Sequence, residues 1–241
     1  MITLSSDFGP PYPAAMKGVV LSRTDARLVD VSHEFPRQDV RAAAFWLREV
    51  LPWFPPAVHL VVVDPGVGTD RSALAVRADG HADGGDEDDG TVEVFEVHYD
   101  APESNTFHGR DVFAPAAARV HEAGVGSLES LDGVAPIDEY EDLAFPEPTV
   151  EADGTRGEVL VVDGFGNVVT NVPGGVLEGR YGGPVVVNDA AATAVRAYAE
   201  ADPGTRVVTV GSHGNVELAV DRGRGDRAFG VEPGDPVRLS W

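Results

Sequence analysis

The chain has 241 residues, of which 43% are hydrophobic, so it can build one large domain or two modest ones and is not globally disordered. Its 40 Asp and Glu residues outnumber 18 Lys and Arg, and the net charge of −22 disfavours nucleic acid and anionic membranes as partners. The sequence contains no cysteine, which excludes disulfides, thiolate zinc sites and cysteine nucleophiles.

The first half of the chain alternates predicted strands and helices. Apolar patterns predict five strands, at 2–5, 27–32, 58–63, 73–77 and 92–99. Three helices are predicted at 14–22, 39–50 and 111–122, the second with Asp39 as its N-cap. This alternation predicts an α/β domain over residues 1–145, with a mainly parallel sheet flanked by helices.

The second half has a different character. Pro146 and Pro148 interrupt regular structure, so we predict a linker over 146–153 and a second domain over 154–241. One helix is predicted at 190–201. Short apolar strands separated by Gly-rich turns predict a small β-barrel or sandwich, with strands at 157–162, 168–172, 184–187, 206–210, 216–220 and 236–239.

Composition also predicts the environment of the protein. An acid-rich, lysine-poor chain favours adaptation to high salt, where screening weakens self-repulsion; an ordinary acidic protein is the alternative. The start of the chain has no basic segment of a secretion signal, and the apolar run at 58–63 is too short to span a bilayer, so we expect a cytoplasmic location. Residues 79–90, rich in Gly and Asp, predict a solvated loop rather than a metal site.

Two polar clusters follow predicted strands, at the sheet edge where α/β proteins place their sites. Asp7 could bind a ribose diol through its carboxylate, or it could lie in a simple turn. Asp64 begins a loop in which Gly66 and Gly68 allow the backbone to approach a ligand. Arg71 could fold back over this loop and pair with Asp64; the alternative is a tight turn with a surface ion pair.

A third cluster lies directly before the predicted helix at 111–122. Its residues 104–111 are mostly polar, and helix starts expose backbone N–H groups. His108 is the candidate proton carrier, because the pKa of imidazole lies near neutrality. The alternative is a structural histidine beside Asp111, which would cap the helix.

A Gly-rich turn in the second half, residues 163–167, carries a candidate site for a flat ring. Phe165 could stack on such a ring while the amide of Asn167 reads its edge. The alternative is a β-turn with Phe165 in the core.

Six segments, in this order and spacing, resemble the S-adenosylmethionine (SAM) hydroxide adenosyltransferase family, relatives of the bacterial fluorinase and chlorinase. They are Ser6-Asp7-Phe8-Gly9, Met16-Lys17-Gly18-Val19, Val63-Asp64-Pro65-Gly66-Val67-Gly68, Asn105-Thr106-Phe107-His108-Gly109-Arg110-Asp111, Asp163-Gly164-Phe165-Gly166-Asn167 and Gly211-Ser212.

The resemblance implies an α/β domain followed by a β-barrel, and hydrolysis of SAM to adenosine and methionine without a metal or cofactor. It also implies a homotrimer in which each substrate lies between the first domain of one subunit and the second domain of its neighbour.

By the same resemblance, Asp64, Arg71 and His108 match the residues that activate water for attack on the ribose C5′. The implied substrate contacts are Asp7 on the ribose hydroxyls, and Phe165 and Asn167 on adenine. Further substrate contacts fall on Phe8, Thr106, Phe107, Asp163, Ser212 and Glu217.

Three other functions are alternatives to hydrolysis: halogenation, binding without cleavage, and metal-dependent hydrolysis. The related halogenases carry Tyr at the position of Asp64 and Ser at that of Gly109, so the residues here favour hydrolysis. The family's Pro-Asp-Asn-Gly turn is missing where 79–90 stands, which leaves open a member that binds SAM or adenosine without cleaving it. A metal-dependent hydrolase would use Asp7, Asp64 and His108 as ligands.

Overall fold

The structure, a computed structural model, describes residues 1–69, 71–78, 91–100 and 102–241. The loop predicted over 79–90, with its alternative of a metal site, lies outside the described residues. The chain divides into two compact units, Met1–Asp142 and Leu143–Trp241. In the described residues, no helix combines the length and apolar character needed to cross a membrane.

A parallel sheet forms the centre of the first unit, as the strand–helix alternation predicted. Its strands run in the order β2-β1-β3: β1 (Ile2–Ser6), β2 (Leu28–Ser32) and β3 (Val58–Val62). Helix α1 (Tyr12–Leu21) connects β1 to β2, and helix α2 (Val40–Val50) leads towards β3. The predicted N-cap is confirmed, because the carboxylate of Asp39 accepts a 2.8 Å hydrogen bond from the backbone N–H of Ala42.

The core of the first unit packs α1 and a later helix, α3 (Ala114–Ala123), against this sheet. Its fully buried residues include Ile2, Leu4, Met16, Val20 and Ala114. Because the three strands are parallel, the loops that follow them meet at one edge of the sheet. Residues after Ser6, Ser32 and Val62 are therefore neighbours, although they lie far apart in sequence.

Three later strands form a separate antiparallel sheet, which the predicted alternation did not indicate. They are β4 (Ala73–Ala78), β5 (Val92–Val97) and β6 (Val134–Pro136). Strands β4 and β5 pair from Ala73↔Val97 to Ala78↔Val92. The predicted helix at 111–122 begins earlier than expected, with a π-helical turn over Gly109–Phe113 that continues into α3.

The second unit is a closed β-barrel, so the barrel alternative is the correct one. Seven strands form the ring in the order β14-β10-β11-β12-β13-β9-β8, and the pairing of β14 with β8 closes it. Their bounds are β8 (Gly154–Val162), β9 (Val168–Pro173), β10 (Pro184–Val187), β11 (Ala190–Ala194), β12 (Arg206–Val210), β13 (Asn215–Val220) and β14 (Pro236–Ser240). Strand β7 (Thr149–Glu151), within the segment predicted as a linker, pairs with β8. A short helix, α4 (Gly225–Phe229), precedes β14.

The predicted helix over 190–201 is wrong. Residues Ala190–Ala194 form β11, which is antiparallel to β10 and parallel to β12. Only a 3-10 turn over Tyr198–Glu200 is helical in this region. Ala192 and Ala194 are buried in the barrel. Strand pairing and burial therefore override the helix preference of alanine, which is worth less than about 1 kcal/mol per residue.

Candidate functional site

The loop after β3 holds the carboxylate of Asp64 in a fixed orientation. Its Oδ1 accepts a 2.9 Å hydrogen bond from the backbone N–H of Gly66. The carbonyl of Gly66 in turn accepts from the hydroxyl of Thr69 at 2.6 Å and from the Thr69 N–H at 3.0 Å. The other oxygen, Oδ2, lies 3.9 Å from Nδ1 of His108. This loop therefore directs one carboxylate oxygen at the imidazole.

His108 lies at the start of the π-helical turn and is 6% exposed. Its ring packs edge-on against Tyr99, with 6.0 Å between ring centroids. The distance of 3.9 Å to Asp64 leaves the pair short of a direct hydrogen bond. The pair is well placed to orient one small polar molecule and to take up a proton.

Asp111 holds the loop that carries His108. Its carboxylate accepts hydrogen bonds from the N–H of Ser104 at 2.9 Å and from Nη2 of Arg110 at 2.9 Å. The hydrogen bond from Arg110 lowers the pKa of Asp111 below its ordinary value. Asp111 therefore joins the two ends of the loop 104–111. It closes this loop instead of capping the helix, which was the alternative role predicted for it.

The two loops approach each other closely because of one glycine. Gly68 has φ +80°, and a Cβ placed there would lie 2.7 Å from the carbonyl oxygen of Asn105. A side chain at this position would force the loops apart. Gly68 is therefore the residue that allows Asp64 and His108 to face each other.

Arg71 folds back over the Asp64 loop, as predicted, but its ion-pair partner is different. A Cβ at Gly66 would lie 2.4 Å from Cδ of Arg71, so the arginine stem covers that glycine. The guanidinium lies 3.9 Å from the carboxylate of Glu141, and its side chain is 59% exposed. The predicted pairing with Asp64 is replaced by this exposed contact, which leaves the guanidinium able to move.

A cleft of about 360 Å³ within the first unit is lined by both Arg71 and His108. Its lining is rich in charged and polar side chains and consists of Gly68, Thr69, Arg71, Ser72, Glu96, Val97, His98, Tyr99, Pro102, Asn105 and His108. Within the part of the chain that the structure describes, no three His, Asp or Glu side chains are grouped as a metal site requires. The ligand set of Asp7, Asp64 and His108 considered for a metal-dependent hydrolase is therefore not assembled.

Asp7 lies at the end of β1, on the same edge of the sheet as Asp64. Its Oδ2 accepts a 2.6 Å hydrogen bond from the backbone N–H of Gln38. Beside it, Phe8 packs edge-to-face on Phe107 at 6.0 Å between centroids, and Tyr12 packs on Phe107 at 5.5 Å. Sequence reasoning missed Tyr12; its position five residues after Asp7, at the start of α1, was the available signal.

Thr106, which directly precedes Phe107 and His108, is exposed. Its hydroxyl lies 3.0 Å from that of Ser104, and its N–H donates to the Ser104 hydroxyl at 3.3 Å.

In the second unit, Asp163 shapes the turn that displays Phe165. Its Oδ1 accepts from the N–H groups of Phe165 and Asn167, both at 2.8 Å, and its Oδ2 accepts from the Asn167 amide at 3.0 Å. Phe165 is 81% exposed, so the alternative that placed it in the core is wrong. The turn presents an aromatic face to its surroundings.

Glu217 lies on β13, five residues beyond Ser212, which is exposed in the preceding turn. The carboxylate of Glu217 is buried, accepts a hydrogen bond from the Tyr198 hydroxyl and lies 3.5 Å from Nε2 of His213. Burial and the bond to Glu217 raise the pKa of Tyr198. Sequence reasoning missed Tyr198, because a predicted helix covered it.

Comparison with known proteins matches both units to family models. Residues 2–132 match the SAM hydroxide adenosyltransferase N-terminal domain, and residues 157–238 match the C-terminal domain of that family. A protein of Salinispora tropica is 39% identical over 259 positions, covering 99% of this chain and 97% of the relative. One of Thermus thermophilus is 38% identical, covering 97% of each. Both relatives are named (R)-S-adenosyl-L-methionine hydrolase.

Two solved structures share the fold of this chain. An uncharacterized conserved protein from Thermotoga maritima superposes with a TM-score of 0.84 at 30% identity over the whole of both chains. A conserved hypothetical protein from Thermus thermophilus superposes with a TM-score of 0.76 at 34% identity, covering 99% of this chain and 98% of that chain. The Salinispora alignment, at 259 positions, exceeds the 241 residues of this chain by 18, so that relative carries at least 18 residues without a counterpart here.

Proposed function

This chain belongs to the SAM hydroxide adenosyltransferase family, and on that basis we propose that it hydrolyses SAM to adenosine and L-methionine, with Asp64, Arg71 and His108 activating the water. The observation that carries the residue assignment is the facing pair Asp64–His108, 3.9 Å apart, with Arg71 lying over the same loop. No metal or cofactor takes part in the proposed reaction.

The chemistry needs an oriented nucleophile more than it needs acid catalysis. Water forms a bond to the ribose C5′ while the C5′–S bond breaks. The electron pair of the broken bond stays on sulfur, which converts the sulfonium into the thioether of methionine. Because the sulfonium is already a good leaving group, the main barrier is to hold a water molecule in line with that bond. The water proton passes to the Asp64–His108 pair and then to solvent.

Each proposed catalytic group has a distinct task. The Gly66 N–H fixes Oδ1 of Asp64, so Oδ2 points towards His108 and the two groups together face the attacking water. The guanidinium of Arg71 moves from its exposed position to stabilise the developing hydroxide character of the water. A single hydrogen-bond donor held against developing negative charge contributes about 10²–10³ in rate.

Substrate contacts are assigned by matching residues to chemistry. Asp7 receives the ribose hydroxyls, the aromatic pair Phe8–Phe107 lines the same region with Thr106, and Phe165 stacks on adenine beside Asn167. Ser212 is exposed and available for a direct contact. The carboxylates of Asp163 and Glu217 are already bonded within their unit, so they act by shaping the turns at 163–167 and 211–215.

We further propose a homotrimer with three sites, each built from the first unit of one subunit and the second unit of its neighbour. Phe165 is 81% exposed and Trp53 87% exposed in the single chain, which suits burial against another copy. The net charge of −22 favours assembly at high salt, because screening reduces repulsion between subunits. Light scattering across salt concentrations tests both statements: a monomer at every salt concentration would overturn the trimer, and a trimer stable in dilute buffer would overturn the salt requirement.

The cytoplasmic location stays a prediction, which fractionation of the source cells tests.

Two alternatives use the same fold. A protein that only binds SAM is favoured by the 18 or more residues that the Salinispora relative has in addition. A halogenase is disfavoured at Gly109, where a Cβ would lie 3.1 Å from Sδ of Met16, so the serine found in halogenases would fit tightly. The carboxylate of Asp64 would also repel a halide ion.

A chromatographic product assay tests the function. The protein, in high-salt buffer, is incubated with each sulfonium epimer of SAM, because the relatives' names specify (R). Asp64→Asn is the matched control, since an amide keeps the shape and the acceptor for Gly66 N–H but cannot take a proton. Adenosine and methionine from the wild type alone, with or without a chelator, support the proposal. If the protein retains intact SAM, it is a binding protein. A 5′-halogenated product would identify a halogenase, and loss of activity with the chelator would identify a metal-dependent enzyme.

A further inference from the structure

Four side chains form a continuous hydrogen-bonded chain at the edge of the parallel sheet. Nζ of Lys17 lies 2.5 Å from Oδ2 of Asp30, and Oδ1 of Asp30 lies 3.0 Å from Nε2 of His33. Nδ1 of His33 lies 2.7 Å from the hydroxyl of Ser6. The chain thus runs from α1, through β2 and the residue after it, to the last residue of β1.

Protonation states follow from these partners. Burial acts to raise the pKa of Asp30, but hydrogen bonds from Lys17 and His33 outweigh it and hold the pKa below its ordinary value. Ionised Asp30 accepts a hydrogen bond from Nε2–H of His33, and in this tautomer Nδ1 accepts the hydrogen bond of the Ser6 hydroxyl. The order Ser–His–Asp is not a nucleophilic triad here, because Ser6 is fully buried.

The end of the chain reaches the residue before Asp7. Three backbone N–H groups donate hydrogen bonds that join the two loops there: Gly9 N–H to His33 O at 2.9 Å, Phe35 N–H to Ser6 O at 3.4 Å, and Gln38 N–H to the carboxylate Oδ2 of Asp7 at 2.6 Å. The loop after β2 is therefore hydrogen-bonded to the loop after β1 on both sides of Asp7. The His33 side chain fixes the first loop to the second through Ser6.

We propose that His33 is a positioning residue for Asp7, oriented by the Lys17–Asp30 pair, and that it sets the affinity for the ribose diol. The inference rests on the proposed function only in taking Asp7 as the ribose contact. His33 does not touch substrate; it holds the β1 end so that the carboxylate of Asp7 meets both hydroxyls. Loss of this support lowers affinity for the diol and leaves the water-activating groups in place.

Two substitutions of His33 separate its two hydrogen bonds. His33→Asn places an amide oxygen near the position of Nδ1 and keeps an acceptor for Ser6. His33→Gln extends an amide towards Asp30 and gives up the bond to Ser6. Lys17→Met, on the half-exposed rim, weakens the chain from its far end without altering the core.

Calorimetry with adenosine and 2′,3′-dideoxyadenosine gives a readout that does not depend on turnover. We expect His33→Gln to raise the Kd for adenosine by about tenfold, the equivalent of one hydrogen bond, and Lys17→Met by about threefold. His33→Asn should stay within about threefold of the wild type. None of the variants should change the Kd for 2′,3′-dideoxyadenosine by more than about twofold, because that ligand lacks both hydroxyls of the diol.

The possible outcomes test the positioning role of His33 separately from the proposed function. Equal losses for both nucleosides, or no loss for adenosine, overturn the positioning role while the proposed function stands. Equal wild-type Kd values for the two nucleosides, or no binding of either, overturn Asp7 as the ribose contact and the positioning role with it. Thermal unfolding of each variant, with a Kd measured only on folded protein, keeps a folding defect from being read as lost affinity.

Discussion

Replacing Gly66 by alanine should disable the proposed site without unfolding the protein. A Cβ at this position would lie 2.4 Å from Cδ and 3.3 Å from Cγ of Arg71, well inside van der Waals contact. Gly66 does not have a positive φ, so alanine can adopt its backbone conformation. Because the Arg71 side chain is 59% exposed, it can swing into solvent to relieve the overlap. The Cβ would also lie 3.2 Å from Oγ1 of Thr69, so the change displaces the arginine most and shifts the Thr69 hydroxyl slightly.

The size of the effect follows from the geometry. Cδ of Arg71 must retreat by about 1.3 Å to reach an ordinary carbon–carbon contact of about 3.7 Å. A misplacement of about 1 Å in a positioned group costs about 10² in rate, and loss of one stabilising donor costs about 10²–10³. We expect kcat to fall by about 10², or about 2.7 kcal/mol in the barrier. The free energy of unfolding should change by less than about 1 kcal/mol.

Single-turnover hydrolysis of SAM and urea unfolding measure the two quantities separately. Arg71→Ala and the double variant complete a cycle with Gly66→Ala. Because both substitutions act on the same guanidinium, the double variant should be no slower than Arg71→Ala alone. Full activity in Gly66→Ala, or losses that multiply in the double variant, would refute the positioning of Arg71 by this loop.

Three further predictions concern stability. Gly68→Ala should destabilise the protein by about 1–3 kcal/mol in urea unfolding, because φ is +80° and the Cβ would lie 2.7 Å from a backbone carbonyl; an unchanged midpoint would contradict this. The pKa of Asp111 is lowered by Arg110, so this carboxylate stabilises the fold above about pH 4 and the benefit is lost as pH falls through the lower folded pKa. The difference in unfolding free energy between wild type and Asp111→Asn should be constant above about pH 4 and shrink below it. Tyr198→Phe should cost about 1–3 kcal/mol in thermal unfolding, because buried Glu217 loses a donor, and equal stability would show that the bond is replaced.

The described contacts explain how the proposed catalytic groups come together. Asp64 and His108 are placed by the end of β3, by the π-helical turn at Gly109–Phe113 and by the close approach at Gly68. Each of these features lies in the described residues before 79 or after 90. The additional residues of the Salinispora relative are therefore not needed to bring this pair of side chains within 3.9 Å.

Local sequence signals determined the elements that carry the site. The apolar run at 58–63 predicts a buried strand whose end places Asp64 at the sheet edge, and β3 occupies Val58–Val62. Asp39 at the start of an amphipathic pattern predicts a helix start, which the structure has. These predictions succeed because strand period, capping and positive-φ glycines depend on a few neighbouring residues.

Partners distant in sequence were decided only by the tertiary structure. Residues 190–194 read as helix from their alanines, yet pairing with β10 and β12 makes them a strand, since the barrel buries Ala192 and Ala194. Arg71 approaches Glu141, 70 positions away, instead of Asp64. Ser6 and His33 meet because two parallel strands end at the same edge. Local preferences are worth less than about 1 kcal/mol per residue, so burial and strand pairing, which depend on the whole fold, determine such contacts.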